Sequence, residues 1–408
     1  MRRLIVLITA ATLCGLAASA QEVSFDREFG SDSEQGSGKA SIEVNATARF
    51  DVNPYFPLQK GSWDLFDLNF GNTSIYTFID GEFGKGWSYS ISNHWLGVDW
   101  SKQSPEDKMM PLYTNTFHSD DVNWLDWATL TYTLETENAG AWGFTIGKDV
   151  MAYALTEYEA NDVDSHIDLS SKFWNENSAY QWGASVGWAA PNETSSLKFQ
   201  VTSSPYSTHP LEDGKISAII KYTEERDLWT GMFSVGTTGC YDTPHGYTLD
   251  AGEGEDDPSL HLDGKWWNSF ATGHQFTLGD LTLSVDGMIR SRSWKEPMLC
   301  YLANAKIEYY NEDAQISVFA KGGIDNYYAL QYSPWTGNKK GLNMGFVGLG
   351  IHIYPLPDSQ DLRVHAVVSN ANHFDTVDEF DGVMSFDLLS VNVGVTYNLA
   401  LHRFWQKK

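Results

Sequence analysis

Along most of the 408 residues, apolar and polar side chains change places at every step. Ile42, Val44, Ala46, Ala48, Phe50 and Val52 interleave with Ser41, Glu43, Asn45, Thr47, Arg49 and Asp51. Near the other end, Leu389, Val391, Val393, Val395, Tyr397, Leu399 and Leu401 interleave with Ser390, Asn392, Gly394, Thr396, Asn398 and Ala400. A period of two places alternate side chains on opposite faces of a β-strand. The pattern recurs over 87–92, 128–135, 180–188, 197–201, 281–290, 303–309, 314–321, 347–353 and 362–369. It is fainter near 70–83, 142–148, 215–223, 228–236 and 266–276, and the whole predicts about sixteen strands with no amphipathic helix between them.

Every strand therefore has a greasy face, and no helices are available to cover it. Each strand has about the length that a tilted strand needs to cross a bilayer, so lipid is the simplest cover. The connections alternate as well. Short turns are expected at 83–86, 137–140, 191–194, 224–227, 278–280, 311–313 and 355–360. Mostly longer connections fall at 53–69, 99–123, 150–177, 205–213, 237–263, 292–298, 325–341 and 372–383. A soluble jelly roll would scatter its long crossings over both ends. Turns on one rim and loops on the other predict an all-β fold: a transmembrane antiparallel β-barrel of about sixteen strands. Its short turns would be periplasmic, its long loops extracellular and both termini on the turn side.

The N-terminus agrees with export. MRRLIVLITAATLCGLAASA has basic Arg2 and Arg3, an apolar run from Leu4 to Leu13, and an Ala18-Ser19-Ala20 cleavage pattern. These are the parts of a secretory signal peptide; the run is well short of the roughly 20 residues of a spanning helix. The expected organisation is a cleaved leader at 1–20, a flexible periplasmic segment at 21–40 and the barrel at 41–408. Lipidation at Cys14 is disfavoured by the bulk of Leu13 before it.

The formal net charge of −26, which becomes −28 once Arg2 and Arg3 leave, argues against nucleic acid as a partner. The 16 Trp and 20 Tyr, without long apolar runs, suit the interfacial girdles of a barrel, and also a carbohydrate-binding β-protein. Cys240 and Cys300 stay in the mature chain at a spacing that does not indicate a bridge. The polar faces carry Arg49, Lys198, Lys221, Arg290, Lys306, Lys321 and Arg363 against Glu43, Asp51, Glu135, Asp286 and Glu308. The expected wall is mixed and leans basic. The acidic excess then belongs to the loops, chiefly DAGEGEDD (250–257) and EYEANDVD (157–164), where the plain reading is a solvated surface.

Three stretches carry a resemblance: FGKGWSYSISNHWLGVDW (83–100), AWGFTIGKDV (141–150) and EYEANDVD (157–164). They resemble segments of Bacteroidetes outer-membrane porins related to the phosphate-selective porin O/P family. The resemblance implies a sixteen-stranded barrel embedded in outer-membrane lipid, passing small hydrophilic solutes or ions by diffusion, and allows a homotrimer. It also implies that the third long connection, 150–177, folds into the lumen. Glu157, Glu159, Asp162 and Asp164 would then form the constriction, opposed to the inward Arg and Lys in a transverse field. Many such barrels end on an aromatic residue, whereas this chain continues past Phe404-Trp405 to Gln406-Lys407-Lys408. Phosphate selectivity relies on Lys and Arg clusters, and 237–263 contains neither residue, so that specificity is not carried over.

Neither a cofactor nor a metal is expected. The loop acids are hard oxygen donors that suit Ca²⁺, but they lack the glycine-containing ligand loop of an EF-hand. Gly183-Ala184-Ser185-Val186-Gly187 matches Gly-x-Ser-x-Gly, yet it lies inside an alternating strand rather than at the strand-to-helix turn a nucleophile needs. No enzyme activity is therefore expected. The rival to a pore is a surface-binding protein, carbohydrate-binding or adhesive, with a plugged barrel and Trp-rich loops at Trp100, Trp124, Trp174 and Trp335.

Overall fold

The computed structural model describes residues 41–57, 67–69, 73–96, 125–136, 138–160, 166, 169–171, 173–174, 179–205, 216–239, 266–292, 298–327, 342–357, 359–373 and 388–404. The expected leader, the segment 21–40, the DAGEGEDD run and Trp405 lie outside these residues.

The strands are β1 (Ser41–Pro57), β2 (Asp67–Asn69), β3 (Ser74–Glu82), β4 (Trp87–Leu96), β5 (Leu125–Thr136), β6 (Gly140–Val150), β7 (Tyr180–Ala189), β8 (Ser195–Ser203) and β9 (Ile216–Arg226). They continue as β10 (Trp229–Gly239), β11 (Trp266–Leu278), β12 (Leu281–Arg292), β13 (Met298–Asn311), β14 (Ile316–Tyr327), β15 (Leu342–Ile353), β16 (Leu362–His373) and β17 (Leu388–Phe404). The three-residue β2 pairs with Asn53–Tyr55 of β1, just beyond the stretch Ser41–Arg49 that pairs with β3. Together β2 and β3 make one stave, so the barrel has sixteen.

From β3 onward each strand is antiparallel to the next. The meander continues through β10 to β17. β17 then pairs with β1 from Ile42↔Phe404 to Pro57↔Leu388, which closes the sheet and leaves no unpaired edge. Both ends of the barrel chain meet the rim of the short turns, as the alternation of connection lengths requires. Two of these turns have only two residues: Asp227 and Leu228 join β9 to β10, and Gly279 and Asp280 join β11 to β12, where Gly279 takes φ +63°, a conformation a side chain would oppose.

The alternation sorts most side chains across the wall. Phe50, Ile146, Phe199, Val235, Ile289, Leu349 and Val395 stand exposed on the outside. Asp51, Gln200, Ser234, Asp286, Ser317, His365 and Thr396 are buried on the inside. A compact apolar cluster also lies within the barrel: Tyr153, Leu155, Tyr158, Phe173 and Trp174 pack against Ile219, Ala271, Met288 and Leu302 of the wall.

Candidate functional site: the lumen and the segment that crosses it

β6 leads directly into a run that stays inside the barrel. Met151, Ala152, Tyr153, Ala154 and Leu155 are no more than 4 % exposed, followed by a single helical turn, α1 (Thr156–Glu159). A buried run must find partners for its backbone groups; the Tyr153 and Leu155 N–H groups donate within it, to the Met151 and Tyr153 carbonyls at 2.7 and 3.0 Å, which leaves the alternate ones to the wall. The wall supplies partners in order around the barrel. Ala152 N–H donates to Gln200 Oε1 of β8 at 2.8 Å, Ala154 N–H to Ser234 Oγ of β10 at 2.9 Å, and Thr156 N–H to Asp286 Oδ1 of β12 at 2.6 Å. Thr156 Oγ1 donates to the other oxygen of Asp286 at 2.7 Å. Tyr153 turns its hydroxyl toward Thr238, at 3.2 Å.

Ion pairs extend this attachment. Lys321 Nζ of β14 lies 2.7 Å from Glu157 Oε1, which also accepts the Ser171 N–H at 3.0 Å. Lys221 of β9 pairs with Glu159. The Phe173 N–H donates to Asp325 Oδ2 of β14 at 3.3 Å, and the Arg290 guanidinium of β12 sits 4.5 Å over the Phe173 ring. The segment thus crosses from β6 past β8, β10 and β12 to β14, with its aromatic side chains filling the space it covers.

Of the four acids assigned to a constriction, Glu157 and Glu159 are brought to the inner wall, whereas Asp162 and Asp164 lie outside the described residues. The expected opposition across a gap is not what these two acids make. Each touches its lysine, because the segment docks on the wall, and a contact pair projects less field into the lumen than separated charges do.

The remaining inward cations are also engaged. Lys198 Nζ lies 3.2 Å from Asp149 Oδ2, Lys306 Nζ lies 2.6 Å from Glu308 Oε2, and Arg49 binds Asp51 through Nε and Nη2 at 2.8 and 2.6 Å. Arg363 Nη2 donates to Thr396 Oγ1 at 3.2 Å. Glu43 accepts from Asn45 at 3.2 Å, and Glu135 is exposed near the turn rim. Cys300 is buried beside Arg290, and Cys240 lies outside the described residues. Ser185 sits in the middle of β7 between Thr145 and Gln200, with no turn to present it as a nucleophile.

A second attachment was not foreseen. His166 places Nε2 3.4 Å from His352 Nε2 of β15, and its ring meets His365 of β16 edge-on at a centroid distance of 5.2 Å. Burial, then the charges of Arg49, His365, His352 and Arg363, hold the His166 imidazole well below its ordinary value. His352 and His365 stand at polar positions of alternating strands, so parity alone placed them inside. Nothing local marked His166. Asp149 lies one residue past the faint alternating stretch 142–148, although it shares the parity of Thr145 and pairs in register with Gln181.

No family model matches the sequence, and no curated protein matches it. Solved structures do. The outer-membrane channel DcaP of Acinetobacter baumannii superposes with a TM-score of 0.55 at 11% identity, over 89% of this chain and 99% of that one. OmpT of Vibrio cholerae, expressed in the outer membrane, gives 0.53 at 11% identity over 90% and 99%. Its in-vitro folded trimer form gives 0.52 at 12% over 88% and 99%. The fold is that of an outer-membrane channel barrel. At this identity the likeness speaks to architecture, and the chemistry of the lumen has to be argued from this chain's own residues.

Proposed function

We propose that this chain is an outer-membrane porin through which small hydrophilic solutes and ions diffuse passively, with the segment 150–177 narrowing the lumen. The observation that carries the reading is the pairing of a closed barrel, apolar outside and charged inside, with a chain segment bound across its interior. A wall that meets lipid on one face and polar groups on the other serves to hold a water-compatible path through a membrane.

Export by the leader and insertion in outer-membrane lipid follow from this reading. The reading allows a homotrimer, and OmpT of Vibrio cholerae is described in a trimer form. Kinship with Bacteroidetes porins of the phosphate-selective O/P type rests on the three resembling stretches, and phosphate preference is left aside because 237–263 lacks Lys and Arg. Neither enzymatic chemistry nor a cofactor is part of the reading.

Selectivity should be weak and set by Glu157, Glu159, Asp162 and Asp164 against Arg49, Lys198, Lys221, Arg290, Lys306, Lys321 and Arg363. Replacing the four acids together by Gln or Asn removes negative charge and also frees Lys221 and Lys321 from their partners. The reversal potential in a salt gradient should shift toward anions, most at low ionic strength, where screening is weakest. An unchanged reversal potential and conductance would mean that these acids do not face the conducting path.

One observation favours a second reading. Phe173, Leu155 and Met151 are at most 1% exposed within one apolar cluster, so the part of the lumen they cover is closed to solvent. A barrel plugged in this way would suit a surface-binding protein, and purified protein that conducts nothing would select it.

A further inference from the structure

The far end of the crossing segment is held by chemistry unlike that of the near end. His166 stacks on Phe319 of β14 at 5.7 Å, and its carbonyl accepts the Leu169 N–H at 2.8 Å and the Ser170 hydroxyl at 3.1 Å. Gly348 of β15 leaves room for the Leu169 side chain, since a Cβ there would sit 2.6 Å from Leu169 Cδ2. His166, His352 and His365 are all buried. We propose that this three-histidine contact is an acid-sensitive latch, which holds the segment against β15 and β16 at neutral pH and releases it on protonation, enlarging the conducting path there.

The charges facing the cluster decide the sign. From β1 come Arg49 and Asp51, from β13 Lys306 and Glu308, and from β16 Arg363; β14 contributes the Phe319 ring, and β17 the neutral Asn392 and Thr396. Asp51 is already bound by Arg49 and Asn392, and its other oxygen lies 3.2 Å from His365 Nε2. Glu308 is bound by Lys306 and Ser317. No described carboxylate is left for His166. The 3.4 Å approach of two Nε2 atoms suits one protonated and one bare nitrogen. Protonating the bare nitrogen would set two N–H donors face to face and place a new positive charge beside Arg49 and Arg363.

Because the docked His166 resists protonation, the released segment takes up the proton first. Docking is therefore fully stable above the ordinary imidazole value of about 6.5 and weakens as pH falls below it. The near end stays attached through Gln200, Ser234, Asp286 and Lys321.

The inference rests on the porin reading, so its test needs one readout that conductance does not supply. The full-length protein would be reconstituted and its conductance followed from about pH 7.5 to about pH 4.5, bracketing imidazole titration. Hydrogen exchange at the backbone of Ser170 and Ser171 would be followed over the same range, corrected for intrinsic rates. The unmodified protein should show a rise in conductance and a loss of protection on acidification. His166→Gln should abolish both changes, while His274→Gln should leave both in place, because His274 lies in another part of the barrel wall, bonded to Trp229 and Thr272. An acid loss of protection without conductance at any pH would uphold the latch and reject the porin. Protection that is indifferent to pH, or an acid response that survives His166→Gln, would overturn the latch.

Discussion

Val395 and Thr396 are neighbours in sequence and opposites in surroundings. Val395 is 40% exposed on the outer face, and Thr396 is 1% exposed inside, where it accepts from Arg363. Val395→Asp should cripple assembly and Thr396→Asp should be tolerated. A basic charge near mid-bilayer costs about 2–4 kcal/mol and Asp somewhat less, whereas an inward carboxylate meets Arg49 and Arg363. Equal heat-modifiability of the two variants on gels would contradict the assigned faces. The Glu157 pair is a second test at this scale. Lys321→Met leaves a buried carboxylate without its cation, a loss on the order of 3 kcal/mol in docking, and proteolysis of the crossing segment should accelerate. Adding Glu157→Gln should restore much of the resistance, since both charges are then gone. Parity made the inward positions of all seven cations legible in the sequence. It could not show which acid each would meet, because partners such as Lys321 and Glu157 are 164 residues apart.

All sixteen alternating segments became staves, with ends displaced by up to six residues, as at β14 (expected 314–321, found Ile316–Tyr327), because a one-residue slip in register would send outward apolar side chains into the lumen. The exceptions have local causes. β2 is a fragment of the β3 stave and too short for alternation to mark it. Register shifts at Ser92/Asn93 and Val44/Asn45 introduce bulges that a strict period of two cannot register. β6 has an unusual backbone conformation just before it delivers the chain into the lumen. Gly147 has φ +131° there, and a Cβ at this position would collide with the Ala128 carbonyl oxygen. Gly147→Val should therefore destabilise the barrel by about 1–3 kcal/mol, read as a lower urea midpoint in detergent micelles, while Gly84→Val, at a turn with open space around it, should cost less. The entry of 150–177 into the barrel came from family resemblance. Its path along Gln200, Ser234 and Asp286 came only from the structure, since Gln and Ser are ordinary residues of any inward face.

At the scale of the whole molecule, a net charge of −26 coexists with an inner wall on which Lys198, Lys221, Lys306 and Lys321 are each paired with a carboxylate. Among the described residues the lumen is close to balanced, which predicts weak selectivity and a modest dependence of selectivity on salt. The central claim is that this barrel conducts, and single-channel recording of the purified, refolded chain in a planar bilayer addresses it most directly. The account predicts stepwise insertion events with a stable conductance that scales with salt concentration and, for a trimer, closes in three equal steps under high voltage. Membranes that stay silent while heat-modifiability shows a folded barrel would contradict it.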